Sequence, residues 1–292
     1  RLVSVTPVVL AFLLVVSPYM LYYGRYVRNE SFAGFSGIVM LYVMLRYLEA
    51  GEKKHLYMLS AALLLHFTVK ETAFIYAAQA LLYLLIYFIV RVTREPWQGR
   101  ENHYRGFIIA LAVGILLAGA ALGIGLANRN GETLSAAETA APANPTGTAS
   151  PFAPISGLPP VLSLLVVGAT LAFITAAFLL TRGFSWQAIR TERSFDLLIL
   201  IGTLVLPNLV AFLIKFTERW FHVSIPTTVE EINALANNPL SYWVIGICMV
   251  LLFGLSIAIG LLWNRDVWWK AALIFWGPFT VLFTTVFTNS AG

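Results

Sequence analysis

The sequence predicts an all-α polytopic membrane protein with about nine transmembrane helices, and three observations carry that prediction. Of its 292 residues, 59% are hydrophobic and only 11% are charged, and the mean hydropathy is +0.80. The apolar residues fall in runs of about 20, the length a helix needs to cross a hydrocarbon layer about 30 Å thick. Runs such as 107–127 and 242–263 are apolar on every face, without the period-two alternation of a membrane barrel. Backbone in lipid must satisfy its own hydrogen bonds, which leaves helices.

The spans are expected at residues 3–23, 34–50, 55–69, 72–92, 106–127, 161–181, 195–215, 240–263 and 270–288. The first lacks a charged leader and a small-residue cleavage site, so it does not read as a signal peptide. With Arg1 rather than Met at its head, the chain is expected to be a piece of a longer protein. The second span stops before the polar run Gly51-Glu52-Lys53-Lys54. A single helix over 55–92 would be too long for a bilayer and would hold Lys70 and Glu71 at its middle. Thr68 to Thr72 is therefore expected to be a turn between the third and fourth spans, the third being short enough to need little tilt.

The fifth span leads into the longest loop, 128–160, rich in Ala, Thr, Pro, Ser and Gly, with Arg129, Glu132 and Glu138 as its charges. That composition predicts a flexible outer loop. The sixth span ends in the basic connection 182–194, and the seventh contains Pro207-Asn208, which should kink it. In the outer loop 216–239, Thr227 and Thr228 precede Glu230 and Glu231, and Ile232 and Leu235 form an apolar stripe. This predicts a short interfacial helix. The eighth and ninth spans are joined by a short charged loop at 264–269, and Gly277-Pro278 lies inside the ninth. The whole of 1–292 reads as a single transmembrane helical domain.

Alternating the spans assigns Arg1, Arg46, Lys53, Lys54, Arg91, Arg94, Arg100, Arg105, Arg182, Arg190, Arg193, Arg265 and Lys270 to one side. The other side receives Arg25, Arg28, Lys70, Arg129, Lys215 and Arg219, so thirteen of the 19 basic residues share one side, which should be cytoplasmic. The expected location is the cell (cytoplasmic) membrane. The net charge of +5 follows from this topology and from anionic headgroups; no soluble domain carries a basic face for nucleic acid. Cys248, the single cysteine, lies in an apolar span and excludes a disulfide framework and a thiolate metal site. There is no Walker loop, zinc motif, dinucleotide fingerprint or Gly-x-Ser-x-Gly elbow.

Two outer loops concentrate charge at membrane depth. Tyr22-Tyr23-Gly24-Arg25-Tyr26-Val27-Arg28-Asn29-Glu30 sets two guanidiniums and an acid among tyrosines. Arg grips phosphate through paired donors and Tyr favours the interface, so the loop suits a lipid phosphate; an aromatic belt with snorkelling arginines has the same composition. The second is His66-Phe67-Thr68-Val69-Lys70-Glu71-Thr72. Ionisable groups near the membrane are costly and point to function, although a self-neutralising Lys70–Glu71 pair at a helix turn is the structural alternative.

These residues carry a family resemblance. Ser17-Pro18-Tyr19 running into the Tyr22–Glu30 loop resembles the post-helix loop of the flippase-activity-associated membrane proteins. That group is similar to the GT-C glycosyltransferases of the protein mannosyltransferase and aminoarabinose transferase type. Thr68-Val69-Lys70-Glu71-Thr72-Ala73-Phe74 resembles the same group's Lys-Glu turn, and Phe283-Thr284-Thr285-Val286-Phe287-Thr288-Asn289 the segment before its later outer loop.

The resemblance implies a GT-C fold and a polyprenyl-phosphate sugar as substrate at the outer membrane face. It also implies an acid in the first outer loop that deprotonates the acceptor; on this reading the chain begins after that loop. Arg25, Arg28 and Lys70 are then expected to bind the lipid phosphate. Glu30, which would orient the acceptor or a divalent metal, and Glu71, which would fix Lys70, are the catalytic candidates. No other cofactor is evident. Expected partners are membrane lipids and the lipid-linked sugar. The alternative is a non-catalytic accessory subunit of a larger membrane-protein complex, for which 20 Phe, 8 Trp and 12 Tyr would supply contact surface. A transporter would need facing broken helices and inverted repeats, and Pro207 with Pro278 is too little to support one.

Overall fold

The computed structural model describes residues 2–18, 30–70, 72–95, 97, 99–139, 160–210 and 239–283. Among these there are helices and no strand. The helices are α1 (Leu2–Val16), α2 (Glu30–Ala50), α3 (Lys53–Val69), α4 (Ala73–Arg94), α5 (Glu101–Thr139), α6 (Pro160–Gly183), α7 (Trp186–Thr191), α8 (Arg193–Val205) and α9 (Pro239–Phe283). A 3-10 turn, Leu206–Leu209, follows α8. Five stretches are long and apolar enough to cross a membrane: Ser31–Ala50, Ala73–Arg94, Glu101–Leu126, Val161–Gly183 and Trp243–Phe283. Their outward faces carry large apolar side chains, with Leu116, Leu164, Val250 and Leu262 exposed by 71%, 73%, 72% and 80%. Apolar surface on this scale is untenable in water and natural in lipid. The chain is an integral membrane protein, all-helical among the described residues.

It divides into two compact units, residues 1–90 with 192–292, and residues 91–191. In the first, α2, α3, α8 and α9 each offer a stripe to a common core. Met40, Val43, Met44 and Tyr47 of α2 recur at helical spacing, as do Leu56, Leu59 and Leu63 of α3, Leu197, Leu200, Ile201 and Leu204 of α8, and Val267, Ala271 and Phe275 of α9. Gly51 ends α2 in the left-handed conformation (φ 71°), its N–H donating to Tyr47 O at 2.8 Å. Glycine is required there twice over, because a Cβ would also come within 2.8 Å of the Arg193 guanidinium. In the polar turn that follows, Glu52 pairs with Lys54, whose hydrogen bond holds the carboxyl below the usual carboxylate range.

A break between the third and fourth spans is present within 68–72, but later than its start, since Thr68 and Val69 stay helical. α3 stops at Val69, Lys70 is extended (φ −158°, ψ 148°), and α4 starts at Ala73. The proline kink in the seventh span takes the form of the 3-10 turn, and its cost is met from another helix. Pro207 cannot donate to the carbonyl four residues back, that of Thr203. Ser256 of α9 donates its hydroxyl to that carbonyl at 2.6 Å, while Trp268 Nε1 donates to Thr203 Oγ1 at 2.9 Å.

Two connections differ from the sequence reading. The expected loop at 264–269 contracts to one extended residue, Asn264 (φ −157°, ψ 98°). Asn264 Oδ1 accepts the N–H of Val267 at 3.3 Å, an N-cap that restarts the helix at once and keeps Arg265 and Asp266 helical. The two arms of α9 fold back on each other: Phe253 meets Trp276 at 4.9 Å between ring centroids, and Gly260 lies under the Trp268 indole. The other difference is at 128, where a loop was expected. The helix continues to Thr139, well past the apolar stretch that ends at Leu126. At 1.5 Å per residue, its 39 residues reach about 58 Å, nearly twice the hydrocarbon thickness. Good helix formers in this stretch, Glu132, Leu134, Ala136, Ala137 and Glu138, favour the extension. The rest of that loop, and the interfacial helix expected within 216–239, lie outside the described residues.

The second unit is an antiparallel pair, α5 against α6, with the short α7 appended. Glycines set its close approach. A Cβ on Gly106 would meet Leu179 at 3.1 Å, one on Gly114 the Phe173 ring at 3.0 Å, and one on Gly168 would meet Leu117 at 3.2 Å. Small residues facing large ones are how membrane helices pack, since no hydrophobic effect drives them together in lipid.

Candidate functional site

The end of the first unit that holds the start of α2, the end of α3 and the start of α4 carries two of the sequence-predicted positions, Glu30 and Lys70. Gly51 reverses the chain between α2 and α3, so the two run antiparallel. Ser36 of α2 touches His66 of α3, its Oγ 2.5 Å from Nδ1. Continuing away from Gly51 past that contact, α2 begins at Glu30 and α3 finishes at Val69 with Lys70 as its cap, so positions 30 and 70 share one end of the hairpin. The structure thus brings the Glu30 and Lys70 backbone positions to the same level. Arg25, Arg28 and Glu71, and the side chain of Glu30, lie outside the described residues.

Lys70 is anchored by its backbone. Its N–H donates to His66 O at 3.3 Å and its carbonyl accepts from Ala73 N at 3.1 Å. Thr72 O takes the N–H groups of Ile75 and Tyr76, which starts α4, and Thr68 Oγ1 turns back on Leu65 O at 2.8 Å. The turn is therefore held by α3 and α4 themselves and presents residue 70 at their junction.

His66 is the polar residue at this end that the sequence reading quoted without giving it a role. Its side chain is fully buried, and its ring meets Tyr76 edge-on at 4.4 Å. The Ser36 hydroxyl donates to Ala33 O at 3.1 Å. With that proton committed, the imidazole Nδ1–H donates to Ser36 Oγ and Nε2 carries the lone pair. Nε2 has no hydrogen-bond partner among the described residues. A histidine inside the apolar run Leu63-Leu64-Leu65-His66-Phe67 was the available signal.

The opposite end of the unit holds a second polar cluster, which the sequence reading missed. Asp196 of α8 accepts from Tyr47 Oη at 2.5 Å and from Trp263 Nε1 at 2.8 Å. Arg193 donates to the carbonyls of Leu48 and Glu49 at 2.9 and 2.5 Å, satisfying the C-terminal turn of α2. This cluster ties α2, α8 and α9 together through charge-assisted bonds and leaves neither oxygen of Asp196 unbonded. Its chemistry is that of a fastening.

Residues 2–118 match the family model of the dolichyl-phosphate-mannose-protein mannosyltransferases. The matched segment is less than half of the chain, but it contains α1 to α4 and all five charged candidates. It supports the GT-C-like resemblance drawn from the Tyr22–Glu30 loop and the Lys-Glu turn. No curated protein and no solved structure matches the chain.

Proposed function

We propose that the protein is a GT-C-like membrane glycosyltransferase that takes a sugar from a polyprenyl-phosphate donor at the outer face of the cell membrane. The observation that carries this reading is the family match over residues 2–118, which takes in every charged residue of the candidate site. In such a transfer an acceptor oxygen attacks the anomeric carbon, the bond from that carbon to the lipid phosphate breaks, and the acceptor proton passes to a carboxylate. Negative charge grows on the departing phosphate, and cations already in place lower that barrier. Arg25, Arg28 and Lys70 serve as those cations, Glu30 orients the acceptor, and Glu71 holds Lys70. The topology that goes with this is nine crossings, with the side rich in Lys and Arg in the cytoplasm.

The test uses the intact chain in proteoliposomes with polyprenyl-phosphate mannose as the probe. Donor binding and sugar release are measured for the parent, Arg28→Ala and Lys70→Ala. Each variant should weaken donor binding by about 1.5–3 kcal/mol through loss of a charge-assisted hydrogen bond. Unchanged binding in both folded variants would remove the donor site and leave the accessory-subunit reading.

A further inference from the structure

We infer that the second unit carries a docking pocket for the headgroup of an anionic phospholipid. This inference is independent of the glycosyltransferase reading. The pocket has a volume of about 480 Å³ and is walled by Glu95, Trp97, Arg100, Phe184, Ser185 and Ala188, all at one end of the α5–α6 pair. That end is at headgroup level, because the apolar part of α5 begins at Phe107 and that of α6 stops at Leu180.

Three features suit the pocket to a phosphodiester. Its neighbourhood is strongly positive: Arg91, Arg94, Arg100, Arg105, Arg182 and Arg190 are all exposed, against the acids Glu95 and Glu101 within the same two segments. Basic pockets beside transmembrane helices are where anionic headgroups bind. Its wall is also rigid. Arg100 donates through Nη1 to the carbonyls of Arg182 at 2.5 Å and Gly183 at 3.4 Å, capping α6, while Trp97 Nε1 is fixed to Val92 O at 3.0 Å. Two bonds leave a five-donor guanidinium with capacity for an anion. The third feature is the rim. Ser185, at φ 74°, turns the chain from α6 into the six-residue α7, which presents Trp186 52% exposed, the residue type that anchors at the lipid interface. Glu95 is the one acid in the wall. It disfavours a bare anion and accepts from a hydroxyl, which selects a phosphodiester carrying glycerol, as in phosphatidylglycerol.

The experiment is native mass spectrometry of the intact chain, titrated with phosphatidylglycerol or phosphatidylcholine. One phosphatidylglycerol should be retained at concentrations where phosphatidylcholine is lost. Arg182→Gln with Arg190→Gln should weaken that retention about thirtyfold, whereas Arg265→Gln with Lys270→Gln, an equal loss of charge in the first unit, should leave it unchanged. Ala188→Trp keeps every charge but fills the pocket and should abolish retention; helix content by circular dichroism checks each variant. Equal retention of the two lipids would overturn the inference. So would equal losses from both arginine-type pairs, retention by folded Ala188→Trp, or displacement of the lipid by millimolar inorganic phosphate.

Discussion

At the scale of single residues, the structure shows how a helix break inside a membrane is made tolerable. Pro207 leaves the Thr203 carbonyl without its helical donor, and Ser256 supplies a hydroxyl at 2.6 Å. Ser256→Ala should therefore destabilise the folded chain by about 1–2 kcal/mol, the cost of an unmet buried acceptor, measured by unfolding in mixed detergent. Restoring the backbone donor with Pro207→Ala should make the same change cheaper, by about 0.5–1.5 kcal/mol of coupling in a double-mutant cycle. Additive effects would show that the serine acts through packing alone. The Ser36–His66 contact is a second such bond. Ser36→Ala should cost about 0.6–2 kcal/mol, the range for hydrogen bonds between membrane helices. None of these pairings was legible beforehand. Pro207, Ser256 and His66 are visible as polar or helix-breaking residues in apolar runs, but pairing them requires the rotation of each helix about its axis.

At the scale of the elements, that rotation is what the sequence hides. In a water-soluble helix the buried stripe differs chemically from the exposed face; here Val43 and Leu45 are equally apolar, yet one is wholly buried and the other 40% exposed. Five long apolar stretches were readable from run length alone, and the break at Lys70 from the cost of a mid-membrane Lys70 and Glu71. The connection at 264–269 was misjudged because charge was taken as a mark of loop, whereas Asn264 caps the following arm and lets Arg265 and Asp266 stay helical. The resulting hairpin within α9 depends on Gly260, over which the Trp268 indole lies. Gly260→Ala should destabilise by about 1–3 kcal/mol, as overpacking does, and a paired Trp268→Leu should recover part of it. In the second unit Gly114→Leu should have a similar cost against Phe173, read as a lower unfolding temperature.

At the scale of the whole molecule, the membrane class was legible because composition decides it, and the charges of the candidate site because desolvation makes them conspicuous. Whether Arg25, Arg28, Glu30, Lys70 and Glu71 meet in one cavity is a matter of three-dimensional convergence, on which spacing in sequence is silent; the hairpin register adds only that positions 30 and 70 share an end. The sugar site and the lipid pocket both require a definite orientation, and orientation rests on the charge bias of the loops. If residues 128–160 lie outside and 93–105 inside, a cysteine introduced at Thr146 should react with an impermeant maleimide added to intact cells, and one at Gln98 should react only after the membrane is opened. The native Cys248 is buried and should stay silent in both cases. Labelling at Gln98 but not at Thr146 would invert the expected topology and remove the basis for an outer-face donor. Labelling at both from outside would instead show that α5 does not cross, and the topology of nine spans would fail with it.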